Sequence, residues 1–272
     1  MVAPYTARGM LPTVQTAALL AAFAGLFLGS FLNVCIMRLP AGASIVGPRS
    51  QCPACKRTIR AFDNIPILSW LLLRGRCRDC DATISMQYPL VEAATALLLA
   101  ACVLHTGLHW QTWLDAALAF FALGLAVMDA QTLLLPDAFT LGGLVLALLL
   151  RAAHPAPNRL QSVIHAALAA ALAALLLLCV RWLYHWLRKQ EGMGLGDVKL
   201  LAMIAAFLGL PLALLTLFLA IISGALVAVA YLLRCKTSAQ QKIPFGSYLS
   251  AAAIACIFVG KPILHWYLGF FR

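Results

Sequence analysis

Charge is what this sequence has least of. Only 11% of its 272 residues are charged and 63% are hydrophobic, against roughly 25% and 45–50% in soluble domains. That balance excludes an ordinary water-soluble domain and implies an integral membrane protein. Acidic residues are the scarcer sign, nine against twenty basic ones, for a net charge of +11. In so apolar a chain, each carboxylate beside a hydrophobic run needs a cap, a partner or a reaction.

Apolar runs approaching the roughly 20 residues that cross a bilayer lie at about 13–37, 88–104, 112–128, 138–151, 162–183, 198–210, 212–233 and 244–260. They predict an all-α polytopic fold with about eight transmembrane helices. Only Leu210 and Pro211 separate the sixth run from the seventh, so a tight turn or helical hairpin is expected there. Residues "AGA" at 41–43 resemble a signal-peptide cleavage site. The preceding run exceeds the usual 7–15-residue apolar region of a signal peptide, so the first helix is expected to be retained.

Basic residues of short loops favour the cytoplasm. Fourteen of the lysines and arginines follow the odd-numbered spans and five lie on the other side, with Lys199 opening a helix. The N-terminus is therefore expected outside, in a multi-pass protein of a bacterial inner membrane. The cytoplasmic positive charge suits anionic lipid headgroups. A nucleic-acid partner is not expected, because the basic loops lack the interleaved aromatics of a single-strand binder.

The third loop, "DAQTLLLPD", has no basic residue, yet alternation puts it on the same side as "RKQEGMGLGDVK". Asp129 and Asp197 then share one face. Taken singly, each is explained by a solvated loop or a helix N-terminus. Asp137, after Pro136, suits that role, and Asp197 would suit it with Lys199 as neutraliser. As a pair they suit two carboxylates sharing a site, one protonated to polarise a peptide carbonyl and one ionised to draw a proton from water. Gly192, Gly194 and Gly196 would permit close backbone approach and dihedrals closed to other residues.

Cys52 and Cys55 form one CxxC and Cys77 and Cys80 another, with twenty-one residues between them. Four thiolates at that spacing suit a closed, structural tetrahedral zinc site; a four-cysteine iron site remains open. Disulfides are disfavoured in the reducing cytoplasm. A loop of about fifty residues lacks an adequate core, so the metal would supply folding energy. Arg57, Arg60, Arg74, Arg76 and Arg78 would offset the thiolate charge. Cys35, Cys102, Cys179 and Cys256 read as packing residues.

"GLAVMDAQTLLLPD" with "EGMGLGDVKL" resembles the paired motifs of type IV prepilin peptidases, a family of GxGD membrane aspartic proteases. "LGSFLNVCIMRLP", the cysteine loop with its following "YPLVE", and "IPFGSYLSAAA" are similar to further blocks of that family. The resemblance implies cleavage of type IV prepilins or type II secretion pseudopilins after a glycine, with Asp129 and Asp197 catalytic. It also implies N-methylation of the new terminus from S-adenosylmethionine. The glycines before Asp197 are no nucleotide fingerprint, so that donor's site is unassigned; Glu92, Asn33, Arg38, Asp63 and Asn64 are candidates. Glu92 must find a donor, water or a loop arginine.

The expected domains are 1–37, an N-terminal segment with the first helix; 38–87, a cytoplasmic zinc-binding loop; and 88–272, a seven-helix membrane domain carrying the aspartates. No pair among the six histidines has ligand spacing beside a carboxylate, so they read as interfacial packing. A presenilin-type protease would share GxGD, but its "YD" and "PAL" elements are missing. A proton- or ion-coupled transporter using Asp129 and Asp197 usually shows inverted repeats, and none is convincing.

Overall fold

The structure is a computed structural model and describes residues 11–155, 157–190, 193–234 and 244–270, without the side chains of 11, 12, 232 and 234. Gly192, Arg8, Lys236, Lys242 and Arg272 lie outside the described residues. The helices are α1 (Leu11–Arg38), α2 (Leu68–Leu72), α3 (Gln87–Thr106), α4 (Trp110–Thr132), α5 (Asp137–Ala152), α6 (Arg159–Arg188), α7 (Leu195–Leu208), α8 (Leu210–Arg234) and α9 (Phe245–Gly269). All eight apolar runs are helical. Six of these helices are long and apolar enough to cross a membrane, whereas α5 and α7, with 16 and 14 residues, are shorter. The chain packs as two compact units, Met1–Thr112 and Trp113–Arg272.

In the first unit α1 lies along α3. Gly25 and Gly29 are one helical turn apart, and each presents bare backbone to the other helix. A Cβ at Gly25 would come within 2.6 Å of Ala96 Cα, and one at Gly29 within 2.6 Å of Glu92 Cα. Small residues four apart allow such contact where no hydrophobic effect drives helices together in lipid. Leu32, Cys35 and Ile36 continue the buried stripe from α1, and Leu99, Cys102 and Val103 from α3.

In the second unit α7 is the most enclosed element. Val198 and every residue from Leu200 to Phe207 are buried. Parallel α5 holds it at both ends and in the middle. Lys199 Nζ pairs with Asp137 Oδ1 at 2.6 Å, so the alternative in which Lys199 neutralises a capping Asp197 is not what forms. At the far end Arg151 donates from Nε to the Ala206 carbonyl at 3.2 Å and from Nη2 to that of Phe207 at 2.7 Å. It thereby answers carbonyls that a helix C-terminus leaves open. Between these ties Gly143 admits the Met203 side chain.

The break expected at Leu210 and Pro211 falls one residue earlier. Gly209, at φ 83, ends α7, and its N–H bonds the Ala205 carbonyl at 2.8 Å. Glycine adopts that dihedral without penalty. Pro211 then sits in the first turn of α8, where its missing N–H is not needed.

Gly29→Leu should push α1 off α3 and destabilise the first unit by roughly 1–3 kcal/mol, as overpacking does. Leu20, 65% exposed on α1, should tolerate alanine. Thermal denaturation of the two detergent-solubilised variants checks this, and equal melting temperatures would contradict it.

Candidate functional site

Asp129 lies in the last turn of α4 and is 5% exposed. Leu133 N–H closes that turn on the Asp129 carbonyl at 2.9 Å, with Leu133 itself in the left-handed region at φ 56. The chain reverses here and carries Leu135 inward before α5 begins. Asp197 is the third residue of α7 and half-buried, where an acid suits the helix N-terminus.

Leu135 joins these segments. A Cβ on Gly196 would meet Leu135 Cβ at 2.9 Å, and one on Gly246 would meet Leu135 Cδ1 at 2.9 Å. The α4–α5 turn, the start of α7 and the start of α9 thus close on one leucine. The two carboxylates come near enough for Asp129 to act on the charge of Asp197. Gly196 serves this contact rather than an unusual dihedral. Gly194 has φ −70, and Gly196 is already in α7.

The donors to Asp129 come from a segment that local sequence patterns did not connect with it. Ser247 N–H donates to Asp129 Oδ2 at 2.7 Å, and Ser247 Oγ lies 3.1 Å from the same oxygen and 2.8 Å from the Ala126 carbonyl. The Gly246 amide also interacts with the carboxylate. The signal was the block "IPFGSYLS", in which a proline and a glycine precede a serine at a helix start. Such starts offer amides to an anion.

The four loop cysteines form a second cluster. Their sulfurs all lie within 4.8 Å of one another, with Cys52 Sγ and Cys80 Sγ 3.8 Å apart. A tetrahedron with metal–sulfur bonds of about 2.3 Å has edges of about 3.8 Å, so the donor set fits a four-coordinate metal. The cluster is built twice over. Cys52 N–H donates to the Arg57 carbonyl and Lys56 N–H to that of Cys52; twenty-five residues on, Cys77 N–H donates to Ala82 and Asp81 N–H to Cys77. Lys56 and Asp81 both have φ near +55, and Gln51 bridges Thr58 as Arg76 bridges Thr83.

The thiols are electrostatically unequal. The Cys55 amide above all draws Cys52 down to about 6. The Ala82 amide draws Cys80 down too, but burial and the other three sulfurs push it up to about 12. Four adjacent thiolates repel one another unless a cation compensates them. Arg57 and Arg60 face Asp79 at 3.4 and 3.9 Å, while Arg78 pairs with Asp63 at 2.6 Å. These three guanidiniums therefore answer carboxylates, contrary to their expected role of offsetting the sulfurs.

The five candidates for the methyl-donor site separate into two groups. Asn33 and Glu92 are both buried between α1 and α3. Asn33 Nδ2 donates to the Tyr88 carbonyl at 3.0 Å, and its Oδ1 is buried without a partner. Glu92 Oε2 accepts the Ile67 N–H at 2.7 Å, with the Ser30 hydroxyl as a further donor. Its partner is thus a turn amide, with Ile67 at φ 60, instead of a loop arginine. Arg38 is committed to the Ser44 and Pro48 carbonyls at 3.0 and 2.6 Å. Asp63 is held by Arg78, whose guanidinium keeps its carboxyl below the usual carboxylate range. Asn64 sits in a short 3-10 turn, Ala61–Asn64.

Against known families, residues 23–106 match the bacterial peptidase A24 N-terminal domain, and residues 116–229 match the type IV leader peptidase family. A prepilin leader peptidase/N-methyltransferase of Stutzerimonas stutzeri is 37% identical over 271 residues, covering 91% of this chain and 92% of its own. The chain belongs to the type IV leader peptidase family. Proteins of the same name from Aeromonas hydrophila and Pseudomonas aeruginosa are 36% and 37% identical, each covering 91% of its own length. No solved structure matches. The two family matches fall one in each compact unit, so the cysteine loop belongs with the first and the aspartates with the second.

Two outcomes are expected for this leader peptidase family member. Gly246→Ala would place a methyl 3.0 Å from Asp129 Oδ2 and 2.9 Å from Leu135, displacing the carboxylate. Activity should fall at least about tenfold, the cost of slightly misplaced catalytic groups, while membrane insertion is retained. Peptide cleavage and detergent gel filtration measure these separately, and an active, well-inserted variant would contradict the contact. Cys77→Ser should lose the metal and expose the loop at 39–86 to proteolysis, with a smaller effect on cleavage. Elemental analysis finding neither zinc nor iron in the parent protein, prepared without chelator, would remove the metal.

Proposed function

We propose that this chain cleaves type IV prepilins or type II secretion pseudopilins after a glycine and then N-methylates the new terminus. The approach of Asp129 to Asp197 across Leu135 carries the first half of this reading. Two carboxylates that close cannot easily both ionise, so the pair holds one proton. The ionised member takes a proton from water, whose oxygen attacks the scissile carbonyl, and the protonated member donates to that carbonyl oxygen.

The substrate obeys the same charge rule as the enzyme. A basic leader ahead of an apolar helix keeps the leader cytoplasmic, so the scissile bond lies at the inner surface of the membrane. The turn after α4 and the start of α7 follow odd-numbered spans in the topology inferred from charge, with the N-terminus outside, and so face that surface. Leader and loop arginines share a sign, leaving the acidic pair as the attractive feature for the substrate.

The relatives' names support methyl transfer, and S-adenosylmethionine supplies the methyl group when bound. Asn33 and Glu92 are the favoured residues toward it. Both are buried polar groups in an apolar helix pair, and Asn33 Oδ1 has an acceptor position to offer. The four cysteines hold zinc, which orders the loop and takes no part in cleavage because a tetrathiolate leaves no open coordination position.

Mass spectrometry of a purified prepilin, incubated with the protein with and without S-adenosylmethionine, reports both activities. Asp129→Asn and Asp197→Asn should each abolish cleavage in inserted, folded protein, since each removes a protonation state the chemistry uses. Substantial cleavage by either would dismiss the pair. Both variants should still methylate a peptide supplied already cleaved, because its terminal amine, with a pKa of about 7.7–8.0, is partly neutral without a base. Glu92→Gln should show the reverse preference. Loss of methyl transfer in the aspartate variants would mean one shared site.

A further inference from the structure

We infer that Ser247 is a hydroxyl rotor serving both protonation states of Asp129, making Asp129 the base that takes the proton of water and Asp197 the acid. This rests on the two-aspartate reading above. Ser247 Oγ is within hydrogen-bond distance of two acceptors, Asp129 Oδ2 at 3.1 Å and the Ala126 carbonyl at 2.8 Å. A hydroxyl has one hydrogen and two lone pairs, so it cannot donate fully to both.

When Asp129 is ionised, the hydroxyl donates to Oδ2 beside the Ser247 amide, and the carboxylate has two donors on one oxygen. When Asp129 carries a proton, rotation about the Cβ–Oγ bond sends the serine hydrogen to Ala126. A lone pair then faces Asp129 and can accept its new O–H. Each state finds a partner without movement of backbone. The backbone is fixed in any case, because the Ser247 amide also lies 3.2 Å from the Pro244 carbonyl at the start of α9.

A hydrolytic base requires this behaviour because its proton count changes twice in a cycle. Water gives a proton to Asp129 as its oxygen bonds to the scissile carbon, and the carbonyl oxygen takes the proton of Asp197. On collapse the carbon–nitrogen bond breaks and the leaving nitrogen takes the proton from Asp129. The oxygen returns its proton to Asp197. Both aspartates end as they began, and one water is consumed. Among the described residues Asp197 has no such rotor: its donor is the Gly194 amide, which cannot turn to accept.

Among the described residues, Asp197 on α7 is the titratable group in charge contact with Asp129, the donors from α9 are the uncharged Gly246 and Ser247, and the Lys199–Asp137 pair is closed on itself.

The test is steady-state cleavage of a prepilin peptide by the full chain in detergent, across pH, for Ser247→Ala and Ser247→Thr. Alanine keeps the backbone amide and removes only the rotor. It should lower kcat about tenfold, the value of one hydrogen bond to a charged group, with KM within about twofold. The acidic limb of the kcat profile should move to higher pH. Threonine, which keeps a hydroxyl, should restore both. Unchanged kcat in alanine, an unmoved acidic limb, or failure of threonine to restore would each overturn the rotor. Asp129→Asn serves as control: if it cleaves, the aspartate pair itself fails, whereas an inactive Asp129→Asn beside a fully active Ser247→Ala defeats the rotor alone.

Discussion

A carboxylate in an apolar helix must receive its hydrogen bonds from the protein, because lipid offers none. Asp129 meets that demand with donors 118 residues further along the chain, at the start of α9. Much of the second unit follows from making that contact possible. Gly246 must lack a side chain for the amides to reach the carboxylate. Leu135 must fill the space between Gly246 and Gly196, and the turn after α4 must place Leu135 there through the left-handed Leu133. One polar requirement thus aligns three chain segments around the two carboxylates.

The second carboxylate is placed by restraint of its helix. At 14 residues α7 is about 21 Å long, short of the roughly 30 Å hydrocarbon core. Its amino end cannot reach the water on one side while its carboxyl end reaches the other. Parallel α5 compensates by tying both ends, through Lys199 to Asp137 and through Arg151 to the last carbonyls. Lys199 is drawn off toward Asp137, so Asp197 is left facing Asp129. A lysine paired directly with Asp197 would have offset the charge interaction between the two carboxylates.

Features carried by local pattern were legible in the sequence, and those carried by long-range contact were not. Eight apolar runs predicted eight helices, because length and hydropathy are properties of contiguous residues. The CxxC pairs announced a four-sulfur cluster, because metal geometry imposes short spacing. GxGD marked Asp197 and its junction with an apolar helix. The reason for its glycine was not visible, because the neighbour that requires it, Leu135, lies sixty-one positions earlier. Ser247 and the exchange of Lys199 to Asp137 were hidden in the same way. The Gly25–Gly29 contact was hidden because small residues look unremarkable in an apolar run until the facing helix is known.

The repeated hairpin of the cysteine loop shows how a small segment is stabilised with almost no core. Each half supplies two sulfurs and buries little else, and both bend at a residue with positive φ directly after the second cysteine. Neither half alone can complete a tetrahedron, so a metal bound by the four sulfurs would join the two halves. Without one, four thiols of unequal acidity would crowd together, and exposed ion pairs such as Arg57–Asp79 contribute little against unfolding. A metal held by the four sulfurs would supply folding energy to the loop. The Glu92 carboxylate, accepting the Ile67 amide across the same unit, fixes where the ordered loop meets α3. A buried acid that anchors this loop to a membrane helix links the folding of the loop to the position of any group it presents at the head of the α1–α3 pair.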